Sequence, residues 1–136
     1  MKGKEYDFFD GKLRFEGEYI NGERNGKGKE YDYYYDVKLR FEGEYLNGKR
    51  NGKGKEYYYD ELIFEGEYLN GVRNGKGKEY DNGKLIFEGE FLNGERNGKG
   101  KEYYDNGILK YEGEYFKGEK IGKDGKKYDI NGELKH

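Results

Sequence analysis

The chain has 136 residues, of which 32% are apolar and 41% charged, and its formal net charge is −2. That balance gives no global attraction to nucleic acid or anionic lipid, and the absence of cysteine excludes disulfides, thiolate metal sites and cysteine nucleophiles. No segment approaches the roughly 20 apolar residues of a membrane span, and Met1–Tyr6 lacks the apolar run of a signal peptide, so the expected setting is cytoplasmic, with peripheral attachment to a membrane as an alternative.

So few apolar residues would fit disorder in an aperiodic chain. Here 17 Tyr and 8 Phe stand in a regular pattern, and each ring can bury on the order of 150–250 Å². The 25 glycines are evenly spaced and proline is absent, which reads as turn punctuation. A thin, elongated core of aromatic rings is expected.

In chain order, residues 1–14 form a partial repeat, Met1–Tyr6 matching the tail of the later ones. The run Phe15-Glu16-Gly17-Glu18-Tyr19 then opens a full repeat, continued by Asn21-Gly22, Arg24-Asn25-Gly26-Lys27-Gly28 and Lys29-Glu30-Tyr31. It returns at Phe41, Phe64, Phe87 and, degraded, at Tyr111. A period in this range marks a repeat array. Length varies at one place, after Lys-Glu-Tyr, as in a surface loop. Residues 129–136 begin a further, partial repeat, with Leu134 at the Leu13 position. One array over residues 1–136 is expected.

Asn82-Gly83 between Tyr80 and Leu85-Ile86-Phe87 is a strong hairpin signal, and Asn106-Gly107 and Asn131-Gly132 repeat it. The other connection, Asn93 to Gly98, reads as longer. Each repeat is thus two strands and two turns. Glycine every few residues and the lack of i, i+3, i+4 apolar spacing exclude helix. A turn at Asn82-Gly83 pairs Tyr80 with Leu85 and puts Leu85, Phe87, Gly89 and Phe91 on one face, with Glu88 and Glu90 on the other. Leu13, Phe15, Gly17, Tyr19 and Leu39, Phe41, Gly43, Tyr45 repeat the set. That register also aims Lys78 at the aromatic face. Either its stem snorkels or a bulge shifts the register.

Catalytic, cofactor and metal residues are not found. Glu16 and Glu18, with their copies, read as a solvated face with cross-strand Lys partners. His136 is terminal, and Ser and Thr are absent. Gly26-Lys27-Gly28-Lys29 lacks the strand–loop–helix setting of a phosphate loop. Arg24, Arg50, Arg73 and Arg96 recur at one turn position, a ladder open to an anionic headgroup or simply a solvated turn. Tyr33, Tyr34, Tyr35, Tyr58, Tyr59 and Tyr104 lie in the variable clusters, and are either partner anchors or edge packing of the core.

The run Tyr/Phe-Glu-Gly-Glu-Tyr-x-Asn-Gly-x-Arg-Asn-Gly-Lys-Gly resembles the MORN repeat, the membrane occupation and recognition nexus motif. The stretch from Lys78 to Leu85 is similar to the variant repeats of bacterial MORN proteins. The resemblance covers nearly the whole chain. It implies an all-β fold: an elongated, twisted single-layer antiparallel meander of β-hairpins. It also implies a scaffold that holds partner proteins, sometimes through a helical segment in the groove, with phosphoinositide binding proposed for the family.

The expected function is a non-enzymatic protein-interaction module. The alternatives are recognition of an anionic membrane surface at the Arg/Lys turns, glycan stacking on exposed Tyr, and a consensus-like or engineered array with no ligand. No nucleic-acid partner is expected. Terminal edge strands give a route to a homo-oligomer.

Overall fold

A computed structural model describes residues 1–33 and 35–136, and every regular element in them is a strand. Two compact units divide the chain, Met1–Val72 and Arg73–His136. The first holds β1 (Lys2–Tyr6), β2 (Leu13–Ile20), β3 (Glu23–Tyr33), β4 (Val37–Leu46), β5 (Lys49–Tyr58) and β6 (Glu61–Leu69). The second holds β7 (Val72–Asp81, apart from its first residue), β8 (Lys84–Leu92), β9 (Glu95–Tyr103), β10 (Leu109–Phe116) and β11 (Glu119–Lys127). Within each unit the strands lie side by side in chain order, each antiparallel to the next. The expected all-β antiparallel meander of hairpins is therefore the fold.

Turn chemistry explains the hairpins. Asn21-Gly22, Asn47-Gly48, Asn70-Gly71, Asn82-Gly83 and Asn93-Gly94 each hold two successive residues at positive φ, as a type I′ turn requires. The connection expected to run from Asn93 to Gly98 is therefore shorter. Leu92 pairs with Glu95 directly across Asn93-Gly94, and Arg96 to Gly98 are already in β9. Asn106-Gly107 and Asn131-Gly132 differ from expectation in the other direction, since only their glycines have positive φ. Gly107 N–H donates to the Tyr104 carbonyl and Tyr104 N–H to that of Ile108, which makes a three-residue loop closed by a glycine bulge.

Tyr80 pairs with Leu85 as the turn predicts, but the next pair is Glu79 with Phe87. Ile86 is the extra residue of a bulge. The same shift recurs at Arg14, Arg40, Ile63 and Lys110. The bulge answers the Lys78 question: Lys78 pairs with Glu88, and Glu79 takes the place beside the aromatic rings. It also corrects the face assignment. Leu39 pairs with Tyr31, whose hydroxyl reaches Glu16 on the face away from Phe15. Leu39 and its copies are thus not in line with Phe41.

The core is a row of rings. Phe15, Phe41, Phe64 and Phe87 are fully buried. In the first unit, Tyr19, Phe15, Tyr45, Phe41, Tyr68 and Phe64 meet edge to face in that order, at centroid distances of 5.7, 5.1, 5.7, 5.1 and 5.8 Å. In the second, Phe91, Phe87, Tyr115 and Tyr111 do so at 5.6, 5.2 and 5.7 Å. This geometry adds about 0.5–1.5 kcal/mol per pair beyond area burial. Glycine makes the seats. Gly17 faces Gly28 and Gly28 faces Gly43 across the strands, and the Phe15 ring lies where a Gly28 side chain would stand.

Candidate functional site

The bulge puts one glutamate per repeat on the aromatic face, and an arginine of the following repeat takes it. Arg24 holds Glu5 through Nε and Nη2 at 2.7 and 2.9 Å, Arg50 holds Glu30 at 2.9 and 3.0 Å, and Arg96 holds Glu79 at 2.9 and 3.1 Å. Each guanidinium also lies over a phenylalanine: Arg24 on Phe15 at 4.0 Å, Arg50 on Phe41 at 4.0 Å, Arg96 on Phe87 at 4.1 Å. Arg73 is half-buried, 5.9 Å from the Phe91 ring. Tyrosine hydroxyls complete the network, Tyr19 donating to Glu5, Tyr45 to Glu30, Tyr68 to Glu56 and Tyr115 to Glu102. The arginine ladder read as a row of turn cations therefore roofs the aromatic core.

Electrostatics follow from this packing. Arg24 is the main cause that holds the Glu5 carboxyl below the usual range, with burial opposing. For Glu30 burial pushes the other way, and the Arg50 and Tyr45 hydrogen bonds outweigh it. Burial, then the bond to Glu30, raises the Tyr45 phenol far above its ordinary value.

The paired glutamates of the opposite face also have separate tasks. Glu16, Glu42 and Glu88 accept the hydroxyls of Tyr31, Tyr57 and Tyr103 at 2.6, 2.7 and 2.9 Å. Glu18 and Glu44 accept the backbone N–H of Lys27 and Lys53 at 2.7 and 2.8 Å, just after Gly26 and Gly52 at φ +98° and +100°. Cross-strand Lys partners are present as well, Lys29 standing between Glu16 and Glu42.

The variable loops remain. β1, β3 and β5 run in one direction, so the loops that follow them share one edge of the first unit. Two exposed aromatic pairs and one single tyrosine stand there. Phe8 and Phe9 are each 92% exposed and meet edge to face at 5.4 Å. Tyr35 is fully exposed. Tyr58 and Tyr59 are exposed and meet at 4.6 Å. A hollow of about 400 Å³ beside Tyr58 is walled by Asp32, Arg40, Tyr57 and Ile63. Tyr33 differs: it is half-buried, with Arg14 and Lys12 4.9 and 5.1 Å above its ring. Tyr104, in the second unit, is half-buried and donates to the Tyr128 carbonyl at 2.7 Å. Tyr34 lies outside the described residues. Sequence reasoning missed Phe8 and Phe9. The signal was two adjacent apolar residues between Asp7 and Asp10, with no strand alternation around them.

The matching loops of the second unit, at Asn82-Gly83 and Asp105-Asn106-Gly107, carry no aromatic tip. A second apolar row runs along the opposite edge of the first unit, where Ile20, Leu46 and Leu69 are exposed just before the Asn-Gly turns.

Among the described residues no helix is long and apolar enough to cross a membrane. No curated protein matches the chain. The MORN repeat family model matches four times, at residues 15–33, 41–62, 64–84 and 87–108, more than half of the chain. Each match starts at the phenylalanine that opens a repeat, and the fifth repeat keeps the pattern in altered residues, Lys117 at φ 50° in the Asn place and Lys120 on Glu102 at 3.1 Å in the Arg place. The chain belongs to the MORN repeat family.

Proposed function

We infer that the chain is a non-enzymatic protein-interaction scaffold whose first unit holds a partner protein along its aromatic loop edge. The observation that carries this reading is the placement of Phe8, Phe9, Tyr35, Tyr58 and Tyr59 on one edge, exposed, in loops that the repeat does not dictate. Tyrosine is enriched among the few residues that carry most of the binding energy at protein interfaces, and large rings bring much contact area. MORN repeats are often found in protein or membrane interaction, which supports the class of function.

A helical partner segment fits the other apolar row. Ile20, Leu46 and Leu69 stand on alternate strands, about 9.6 Å apart at the usual strand spacing. Residues i and i+7 of a helix are about 10.5 Å apart, so one helix lying across the strands would meet all three. The anionic-lipid reading has less support, because Arg24, Arg50 and Arg96 are already held by glutamates.

Affinity capture with the full chain, followed by quantitative mass spectrometry, tests the loop edge. A Phe8→Ser/Phe9→Ser/Tyr35→Ser/Tyr58→Ser variant is expected to lose the proteins that the parent recovers while its melting midpoint stays the same. Equal recovery by both would refute the edge, and retention on phosphoinositide vesicles in place of protein would favour the lipid reading.

A further inference from the structure

The hairpins β1–β2, β3–β4, β5–β6, β7–β8 and β9–β10 share one cross-strand pair near their loops. Tyr6 faces Leu13, Tyr31 faces Leu39, Tyr57 faces Leu62, Tyr80 faces Leu85 and Tyr103 faces Leu109. One step nearer the loop, most of these hairpins set an aspartate against a lysine. Asp32 pairs with Lys38 and Asp81 with Lys84, and Asp7 N–H donates to the Lys12 carbonyl at 2.8 Å. Opposite charges facing each other across two strands stabilise the sheet. In β9–β10 the place goes to Tyr104 and Ile108, which carry no charge. The β5–β6 hairpin differs from all of these. It sets Tyr58 opposite Glu61, so the acid faces a ring and no cation.

Both side chains are open to solvent. Tyr58 is 59% exposed, and Glu61 is exposed with no ion-pair partner among the described residues. The cations of this edge are engaged elsewhere. Lys38 holds Asp60 at 3.1 Å, Arg40 stands 3.7 Å from Asp32, and Lys12 and Arg14 lie over the Tyr33 ring. The fold itself shows what a ring and a carboxylate hold when they stand together. Arg50 lies on Phe41 with Glu30 on its fork, Arg24 on Phe15 with Glu5, and Arg96 on Phe87 with Glu79. At the loop edge, Arg14 lies over Tyr33 and donates to Asp10. Tyr58 and Glu61 offer the same two groups without the guanidinium.

We propose that Tyr58 and Glu61 form a seat for an arginine of the partner protein. The proposal rests on the loop-edge reading and names what the partner presents there. The planar guanidinium lies flat on the ring while two of its N–H groups donate to the carboxylate. A lysine supplies the charge without the fork and fits less well. The hollow of about 400 Å³ beside Tyr58 has an apolar wall at Ile63 for the aliphatic stem. Arg40 forms another wall, and Asp32 offsets its charge.

The test is an NMR titration of the full chain with three acetylated, amidated peptides, GLRGLRG, GLKGLKG and GLEGLEG, followed at the Tyr58 and Glu61 amides. The arginine peptide is expected to shift both amides saturably. The lysine peptide should bind about two- to fivefold more weakly, and the glutamate peptide not at all. Glu61→Lys should weaken the arginine peptide at least about fivefold and admit the glutamate peptide. Glu61→Gln, which keeps the size and removes the charge, should weaken the arginine peptide by less. Melting midpoints of both variants should match the parent, because the site is exposed. No saturable shift at Tyr58 and Glu61 below about 10 mM, or binding indifferent to both variants, would overturn the proposal. Shifts at Phe8, Phe9 and Tyr35 that ignore peptide charge would overturn it too, while leaving the loop edge as the partner surface. Failure of the loop edge itself reads out separately, as equal affinity capture by the parent and its serine variant.

Discussion

Arg50 lies over Phe41, its guanidinium carbon 4.0 Å from the ring centroid, while Nε and Nη2 hold Glu30 of the preceding repeat. One side chain thus closes the core of its own repeat and ties it to the last. Lysine carries the charge but not the planar fork. Arg50→Lys is expected to lower stability by about 1–2 kcal/mol. Glu30→Ala leaves both Arg50 and the Tyr45 hydroxyl without their acceptor, and should lower stability by about 2–4 kcal/mol. Urea unfolding reads both; midpoints matching the parent would show that the contact contributes nothing.

The glycine seats give a second test. A Cβ on Gly28 would overlap the Phe15 ring and lie 3.0 Å from Tyr45 Cε1, and neither buried ring has room to retreat. Gly28→Ala is expected to destabilise by about 1–3 kcal/mol through overpacking. Gly48 sits at φ +86° with open space around it, so Gly48→Ala carries backbone strain alone, about 1 kcal/mol. Thermal unfolding should rank Gly28→Ala as the more damaging; the reverse order would place the constraint in the turn and not under the ring.

The turn between β5 and β6 is built from unsuited residues. Tyr59 and Asp60 sit at φ 49° and 66°, where the other two-residue turns use Asn-Gly or, between β10 and β11, Lys117-Gly118. A Tyr59→Asn/Asp60→Gly replacement should raise stability by about 1 kcal/mol. The exposed Lys38–Asp60 pair it removes contributes little. The same change deletes one ring of the loop edge. Higher stability with weaker partner capture is the expected combination in parallel melts and pull-downs, and unchanged capture would remove Tyr59 from the site.

Stability should fall at both extremes of pH. Glu5, Glu30 and Glu102 have pKa values below the ordinary 4.5. Their contribution is fully present above that value and is lost as pH drops through the lower folded pKa. Tyr31, Tyr57 and Tyr103 are pushed up from 10.0 to about 12, first by burial and then by their bonds to Glu16, Glu42 and Glu88. Their contribution is present below pH 10 and is lost as pH rises toward 12. Melting midpoints followed by circular dichroism should be level between about pH 5 and 10; a midpoint that climbs on acidification below pH 4 would contradict the ion-pair network.

Periodicity and turn chemistry carried most of the fold. Asn82-Gly83 between Tyr80 and Leu85 specifies a hairpin from sequence alone, because few dipeptides tolerate two positive φ values in succession. The orientation of Lys78 points to a bulge as one of two solutions, but its place at Ile86 is not legible, since nothing in that side chain differs from an ordinary strand residue. That one extra residue moved Glu79 onto the aromatic face and with it hid the role of Arg96, which looked like a solvated cation at a turn. The paired glutamates keep their cross-strand Lys partners, but their further bonds are not written in the pattern: the Glu18 bond to Lys27 N–H depends on Gly26 at positive φ inside a strand. Among the candidate tyrosines, composition could not separate exposed Tyr35 from Tyr104, whose hydroxyl is fixed by the Tyr128 carbonyl, a partner 24 residues away.

The proposed partner surface is the aromatic loops of the first unit. Photo-crosslinking from two matched loop positions tests it directly, with benzoylphenylalanine placed at Tyr35 in one sample and at Asp105 of the second unit in another. A discrete crosslinked protein is expected from position 35 and none from position 105. Equal yields from both positions, or crosslinks from 105 alone, would contradict it.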